Sequence, residues 1–231
     1  MGEHFPTTGT HLERYARVLP AVEINSSFYR PHRPGTYARW RDSVPETFRF
    51  AVKVPRVITH ELRLRGAREP LERFLGEAGH LEAKLGCLLV QLPPSLQHEP
   101  ETARAFFQAL RDRTPADIVC EPRHRTWFTD EARQVLDDVG IAYVKADPPA
   151  VTTPPPPDTD VVYYRLHGSP KMYYSAYSNA FLETLAAEIS NHEQAGRRVW
   201  CIFDNTAEGA ALPNALSLLH RDVQPESPHK A

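Results

Sequence analysis

Seven short apolar runs, separated by stretches with helical character, are the feature of this 231-residue chain that most constrains its fold. Each run ends in polar or charged side chains, and the runs occupy residues 21–28, 48–54, 87–92, 118–124, 142–147, 162–167 and 199–205. Strands that alternate with helices predict a parallel sheet covered by helices. Such sheets bind ligands at the carboxyl ends of their strands. We therefore predict an α/β fold of the TIM-barrel-like (β/α) type, with a site at that edge.

The stretches between the runs predict the connecting helices. Periodic apolar residues place these helices at residues 10–19, 36–41, 70–85 with a break near Gly76 or Gly79, 100–111, 129–139, 178–194 and 206–220. Pro213 should kink or split the last of them. Residues 148–160 include four consecutive prolines and predict a rigid extended loop in place of a helix.

The length of the chain fits a single barrel domain. We predict one TIM-barrel-like domain over residues 1–220 and a flexible, polar C-terminal tail over residues 221–231. A closed barrel of this type has eight strands, and the first ten residues supply none. The sequence therefore predicts a barrel that lacks its first strand, either natively or because the start site is misplaced.

Composition narrows the classes of function. A formal net charge of −2 argues against a nucleic-acid partner on bulk charge. No apolar run approaches the ~18 residues that cross a bilayer, and the N-terminus lacks a signal-peptide pattern. The three cysteines have no zinc-binding spacing and are expected to be reduced. These features predict a cytoplasmic protein with no membrane partner, and they leave the oligomeric state open.

Strand parity selects the candidate site residues, because side chains two positions apart share a face. A lower inward layer is predicted to contain Glu23, Asn25, Lys53, Gln91, Glu121, Lys145 and Arg165. An upper layer is predicted to contain Arg123, Asp147, His167 and either Asp204 or Asn205. Barrel interiors are normally apolar, so buried charges must be paired or functional. The lower layer could be a lattice of mutually neutralised charges, whereas the upper layer meets solvent and predicts a site.

Basic side chains outnumber acidic ones in the upper layer: the basic residues are Arg123, His124, His167 and Lys171, and the acidic ones are Asp147 and, where it is the inward residue in place of Asn205, Asp204. Arginine binds carboxylate and phosphate through paired hydrogen bonds, so a small anionic molecule is the predicted partner. The turn from His167 to Lys171 and a helix N-terminus expected at Thr206 would suit a phosphate group.

Proton transfer would need an acid and a base of tunable pKa. Glu121 and His167 are the leading candidates, with Glu23 and His124 as further catalytic candidates. The aromatic residues Tyr29, Trp127, Tyr173, Tyr174 and Tyr177 follow strand ends and could either pack loops onto the barrel or stack on a ligand. The predicted substrate-binding residues are Asn25, Tyr29, Lys53, Gln91, Arg123, Trp127, Asp147, Arg165, Lys171, Tyr174 and Asn205.

Three hypotheses of function follow. The leading one is an enzyme that uses acid–base chemistry on a small anionic substrate, without a cofactor or a metal. The second is a metal-dependent phosphoesterase or nuclease-like hydrolase that uses Glu23, Glu121, Asp147, His124 and His167, although HExxH and DxDxDG motifs are absent and nearby basic groups would repel a cation. The third is a non-catalytic anion-binding or scaffold protein.

Several long motifs resemble the DUF72 (YecE-like) family. In order along the chain they are VEINSSFYR, FRFAVKVPRVITH, LLVQLPPS, EPRHRTWF, YYRLHGSP and FDNTAEGAALPNAL. The resemblance implies a TIM-barrel-like fold and adds no reaction, because the family has no established biochemical function. Its signature positions include most residues selected by strand parity, and they add Thr59 and His60, of which His60 is a further predicted substrate-binding residue. Members typically begin with a further strand ending in a Ser-Gly-Trp-like motif, which this sequence lacks.

Overall fold

The computed structural model describes residues 4–151 and 159–222, in which seven parallel strands alternate with helices. The strands are β1 (Ala21–Ile24), β2 (Arg49–Lys53), β3 (Leu85–Gln91), β4 (Asp117–Glu121), β5 (Ala142–Asp147), β6 (Val161–Leu166) and β7 (Arg198–Phe203). They follow one another in the sheet in chain order, and every pair is parallel. The predicted α/β, TIM-barrel-like fold is thereby confirmed.

The helices of the described residues are α1 (His11–Ala16), α2 (Ser26–Tyr29), α3 (Pro34–Asp42), α4 (Arg68–Ala78), α5 (Pro100–Arg111), α6 (Asp130–Asp137), α7 (Asn179–Gln194) and α8 (Ala211–Asp222). A π-helical turn spans Val57–Glu61, and 3₁₀ turns span Gly79–Lys84 and Arg125–Trp127. Side-chain oxygens of Thr10, Thr129 and Ser178 accept backbone N–H groups at the starts of α1, α6 and α7, which explains why these helices begin there.

The contacts divide the chain into two compact units, and the described part of the first is residues 4–143. Its core lies on the helix side of the sheet. There, Phe50 and Val52 of β2 pack in one apolar cluster with Phe107 of α5. Residues that alternate with these core positions lie on the opposite face of the sheet. Packing therefore places Lys53 and Glu121 away from the helices.

The described part of the second unit is residues 144–151 and 159–222. Val162, Tyr164 and Leu166 of β6 form an apolar cluster with Leu182 and Leu185 of α7. Arg165 and His167 alternate with these residues and lie on the opposite face of β6. No helix in the described ranges has the length and apolarity needed to cross a bilayer.

The last helix differs from its prediction. Residues 206–210 form a turn, and α8 begins only at Ala211. Gly209 has a φ of +80°, a conformation that breaks a right-handed helix. Pro213 therefore lies in the first turn of α8, where its missing N–H has no intrahelical partner, and the predicted kink is wrong. The helix N-terminus expected at Thr206 is wrong for the same reason.

The boundaries of other elements agree better with those predicted from the sequence. α5 has the predicted bounds, and the predicted break near Gly79 is confirmed, because a 3₁₀ turn replaces α4 there. α8 extends to Asp222, so the first two residues of the predicted tail are helical. The rest of the predicted tail, residues 223–231, lies outside the described residues. So do residues 152–158 of the proline-rich loop. The single domain over residues 1–220 stays a prediction.

Candidate functional site

Polar side chains gather at the strand ends of the first unit, on the face that the helices leave uncovered. We name this group the strand-end cluster; its members are Glu23, Asn25, Lys53, His60, Gln91, Glu121 and Arg123. Gln91 and Glu121 are register partners at the ends of β3 and β4. Lys53 is the register partner of Leu89 on the same side. For these strands, the structure has the parity that the sequence predicts.

Glu121 and Arg123 form a buried ion pair. The Glu121 side chain is only 2% exposed, and its Oε1 accepts a hydrogen bond from Arg123 Nε at 3.0 Å and a second from Nη2. A carboxylate this deeply buried needs a cation, because desolvation would otherwise be costly. The pair fixes the guanidinium of Arg123, so Glu121 is better placed to position Arg123 than to transfer a proton.

The Lys53 ammonium lies against an aromatic ring, with Nζ 4.2 Å from the centroid of Phe28. Phe28 belongs to the four-residue helix α2, which the sequence analysis missed because one turn is too short to show periodicity. Ser27, also missed, anchors this turn: its buried hydroxyl donates to the backbone oxygens of Lys53 and Ile24, at 2.7 and 3.0 Å. Ser27 directly follows Asn25 and Ser26, so nothing in the local sequence pattern marks it as a buried residue.

His60 lies on the π-helical turn beside the same ring. Its Nδ1 is 2.8 Å from Thr59 Oγ1, and its ring meets Phe28 edge-on with centroids 5.0 Å apart. Burial lowers the pKa of His60, and the positive charges of Lys53, Arg56 and Arg123 lower it further. The imidazole is therefore neutral near pH 7 and lies in a field dominated by cations.

Glu23 and Asn25 complete the strand-end cluster. Asn25 Nδ2 donates to Glu23 Oε1 at 2.8 Å, so the amide fixes the carboxylate. Asn25 Oδ1 is buried and has no hydrogen-bond partner among the residues described. A buried acceptor without a donor is costly, and this one gives the cluster an oxygen that a donor group could satisfy.

The second unit has its own group of ionisable side chains, the Asp204 cluster, formed by Arg165, His167 and Asp204. Asp204 Oδ2 lies 3.1 Å from His167 Nδ1 and 3.2 Å from Arg165 Nη2. Arg165 and His167 are each 1% exposed. A carboxylate on Nδ1 holds the imidazole proton on that nitrogen and orients the ring. Of the two alternatives in the sequence, Asp204 rather than Asn205 makes these contacts.

The loop after β6 is tightly built. Gly168 has a φ of +95°, and a Cβ there would lie 2.8 Å from the backbone oxygen of Ser175, so only glycine fits. Its N–H donates to the hydroxyl of Tyr177 at 2.8 Å. Tyr173 also has a positive φ of 68° and meets the His167 ring edge-on at 5.7 Å. Backbone strain of this kind concentrates at functional sites.

Two members of that loop, Lys171 and Tyr174, contact each other. Lys171 Nζ lies 3.7 Å from the centroid of the Tyr174 ring, and both residues are exposed. The pair presents a cation and an aromatic ring to solvent. Their predicted substrate-binding role stays a prediction.

The side chains of strand β5 lie on the faces of the sheet opposite to those predicted. Lys145 Nζ is 3.2 Å from the hydroxyl of Tyr164 and 3.8 Å from Glu188 of α7, so it faces a helix. The inward placement of Lys145 is wrong because Tyr143 belongs to the apolar core and fixes the odd-numbered positions of β5 on the helix side. Asp147 shares this parity, and it accepts a hydrogen bond from Tyr177 at 2.7 Å.

Two further candidates have structural partners. Trp127 is 1% exposed and donates its indole N–H to Leu96 O at 2.9 Å, which favours packing over ligand stacking. Asn205 Nδ2 donates to Ser175 O and Asn214 Oδ1, and it thereby ties the loop after β6 to α8.

His124 and Tyr29 complete the predicted set. His124 Nδ1 lies 2.9 Å from Thr126 Oγ1 and caps the 3₁₀ turn that follows. Tyr29 is 76% exposed, so its ring is open to a ligand. Among the residues described, no three His, Cys, Asp or Glu side chains gather closely enough to hold a metal ion.

Curated relatives are similar over part or most of the chain. The UPF0759 protein YecE of Escherichia coli is 36% identical over 131 residues, which are 55% of this chain and 47% of YecE. The chain thus spans about half the length of that relative. The UPF0759 protein YunF of Bacillus subtilis is 24% identical over an aligned region that covers 90% of this chain and 85% of YunF.

Solved structures and a family model agree with this similarity. A DUF72 family protein of Thermotoga maritima superposes with a TM-score of 0.77 at 26% identity, covering 90% of this chain and 86% of that one. A DUF72 family protein of Enterococcus faecalis gives a TM-score of 0.79 at 25% identity, covering 93% and 94%. The family model described as "Protein of unknown function DUF72" matches residues 2–230. The chain therefore belongs to the DUF72 family.

Proposed function

We propose that the strand-end cluster binds a small molecule bearing a carboxylate or phosphate group, and that the protein acts on it by acid–base chemistry. The observation that supports this most is the set of charges around His60: burial is the largest cause of its lowered pKa, the positive charges of three neighbouring cations lower it further, and the opposing charge of Glu61 contributes least. The cluster as a whole balances two cations against two carboxylates, but the charges that act on the His60 ring are mostly positive, and partly buried surroundings strengthen their attraction for an anion.

Lys53 and Arg123 are the groups proposed to contact the anion. Both are held in place, Lys53 by the Phe28 ring and Arg123 by Glu121. Preorganised cations lose little conformational freedom on binding, which favours affinity. A bound anion would also offset the mutual repulsion of the cations around His60.

His60 is the proposed acid–base group of the same site. Its Nδ1 is engaged by Thr59, whereas its Nε2 makes no hydrogen bond with any residue described. A neutral imidazole with one nitrogen held and the other available can accept a proton from a bound molecule. Glu121, the base favoured by the sequence, takes the role of positioning Arg123.

A thermal-shift titration against phosphate, sulfate, sugar phosphates and small carboxylates tests the binding step. A ligand at about 100 times its dissociation constant stabilises a fold by about 2.7 kcal/mol, which such an assay detects. Lys53→Met should weaken binding about tenfold or more. Lys145→Met is the matched control, because it removes the same charge and a similar ring contact on the helix-facing side of β5. An equal loss of affinity in Lys53→Met and Lys145→Met would contradict the proposal. So would the absence of a saturable shift in melting temperature with every compound.

A second proposal concerns the Asp204 cluster, which has the Asp–His arrangement used by acid–base enzymes. We propose that Asp204 keeps the proton of His167 on Nδ1 and thereby fixes the orientation of the ring. ¹⁵N NMR of the histidine rings should report the Nδ1–H tautomer, and Asp204→Asn should shift the ring toward a tautomer mixture. An unchanged tautomer in Asp204→Asn would contradict this role.

We further propose a cytoplasmic location and a small-molecule partner in place of a nucleic acid. Cys87, Cys120 and Cys201 are thiols and not disulfides, which fits a reducing compartment. The net charge of −2 fits a small-molecule partner better than a nucleic acid.

A further inference from the structure

The first unit contains a cavity that the strand-end cluster does not use. Its volume is about 310 Å³, and it is bounded by α2, the π-helical turn and α4. That volume is at the lower end of the range for small-molecule sites. Phe28 and Phe74 are buried residues of its wall, so part of the lining is apolar.

Three arginines and two glutamates line the cavity, which leaves an excess of positive charge. Arg56 and Glu61 lie 3.5 Å apart and largely offset each other. In the described part of the chain, the guanidinium groups of Arg30 and Arg73 make neither a hydrogen bond nor an ion pair. Both are thus available to an anionic group, and guanidinium suits carboxylate and phosphate geometry.

Tyr29 gives the cavity an exposed aromatic surface. It is 76% exposed, although a ring of this size is usually at least half buried. Its neighbour Phe28 packs against it in a T-shaped contact, with the centroids 5.0 Å apart and the planes at 88°. A tyrosine ring with this much exposed surface suits stacking by a flat ligand.

We propose that this cavity binds a planar ring that bears a carboxylate or phosphate group. Tyr29 stacks on the ring, and Arg30 and Arg73 bind the anion. The π-helical turn borders both this site and the strand-end cluster: Arg56 and Glu61 line the cavity, and His60 contacts Phe28 of the cavity wall and lies near Lys53. π-Helical turns occur frequently at functional sites.

Calorimetric titration of the full chain with phenyl phosphate, inorganic phosphate and phenol tests the proposal. Phenyl phosphate should bind about tenfold more tightly than either of its halves, because ring and anion are held together. Tyr29→Ala and Arg73→Gln should each weaken phenyl phosphate binding about tenfold. Both residues are exposed, so the variants should fold.

Two controls separate this cavity from other surfaces. Arg39→Gln removes an exposed arginine of α3 that does not line the cavity, and it should leave the affinity unchanged. Lys145→Met removes a lysine that belongs to neither proposed site, and it should likewise leave the phenyl phosphate affinity unchanged. Loss of binding in Lys53→Met with retention in Arg73→Gln would overturn the proposal. So would equal affinity of the wild type, Tyr29→Ala and Arg73→Gln, or the absence of saturable binding.

Discussion

The buried pair of Glu121 and Arg123 makes a quantitative prediction about stability. Arg123→Ala leaves a carboxylate that is 2% exposed without its guanidinium, and breaking a buried pair in this way costs about 3–5 kcal/mol. The lower figure applies, because the Arg123 side chain is 23% exposed and is therefore partly hydrated in the wild type. With a urea m-value of about 3 kcal/mol/M, the unfolding midpoint should fall by about 1 M.

A second substitution isolates the cause of that loss. Adding Glu121→Gln to Arg123→Ala replaces the buried charge with a neutral amide, so the double variant should recover about 1 kcal/mol or more. Urea unfolding followed by circular dichroism measures all four members of the cycle. A double variant no more stable than Arg123→Ala would refute the reasoning, as would a cost below about 1 kcal/mol for Arg123→Ala alone.

Three further predictions concern other parts of the chain. Gly168→Ala should lower the unfolding free energy by about 2 kcal/mol or more in urea titrations, because the new Cβ meets Ser175 O at 2.8 Å; a neutral effect would contradict the packing. Trp127→Phe should cost about 1–3 kcal/mol, because Leu96 O loses its buried donor, while anion affinity stays unchanged; a selective loss of affinity would restore a binding role for Trp127. Cys120 should resist iodoacetamide in the native protein, as mapped by mass spectrometry, because complete burial raises the pKa of its thiol; rapid labelling would contradict that burial.

Periodicity and parity predicted the fold well, because both follow from local sequence. The seven strands, the bounds of α5 and the break near Gly79 are examples. Lys145 shows the limit of the method. Its inward placement followed from assigning the polar residues of β5 to the site, whereas the burial of Tyr143 decides which face is the core.

The positions of the candidate residues at strand ends could be predicted from the sequence, whereas the partners of their side chains could not. The sequence predicts that Glu121 is a carboxylate at a strand end, but only the structure shows that it pairs with Arg123. Trp127 and Asn205 follow strand ends, as ligand-binding residues do, but tertiary contacts satisfy their polar groups. Long-range partners of this kind depend on how separate loops pack, and the local sequence does not encode that.

The most direct test of the proposed anion site is the pKa of His60, measured by NMR with and without phosphate. The resonance can be identified among the 11 histidines by its absence in His60→Gln. Without ligand, the pKa should lie below the ordinary value of about 6.5, because burial and the charges of Lys53, Arg56 and Arg123 disfavour protonation. The unfolded chain then binds the proton more readily, so His60 makes the fold less stable as pH falls from about 6.5 through its folded pKa.

A bound anion should reverse the effect of the cations. Saturating phosphate is expected to raise the pKa of His60, and by linkage phosphate should bind more tightly as the pH falls through that pKa. A pKa that rises with phosphate in the wild type and not in Lys53→Met is the result predicted here. A His60 pKa that does not move at any phosphate concentration, or that already lies above 6.5 without ligand, would contradict a cationic anion site at these strand ends.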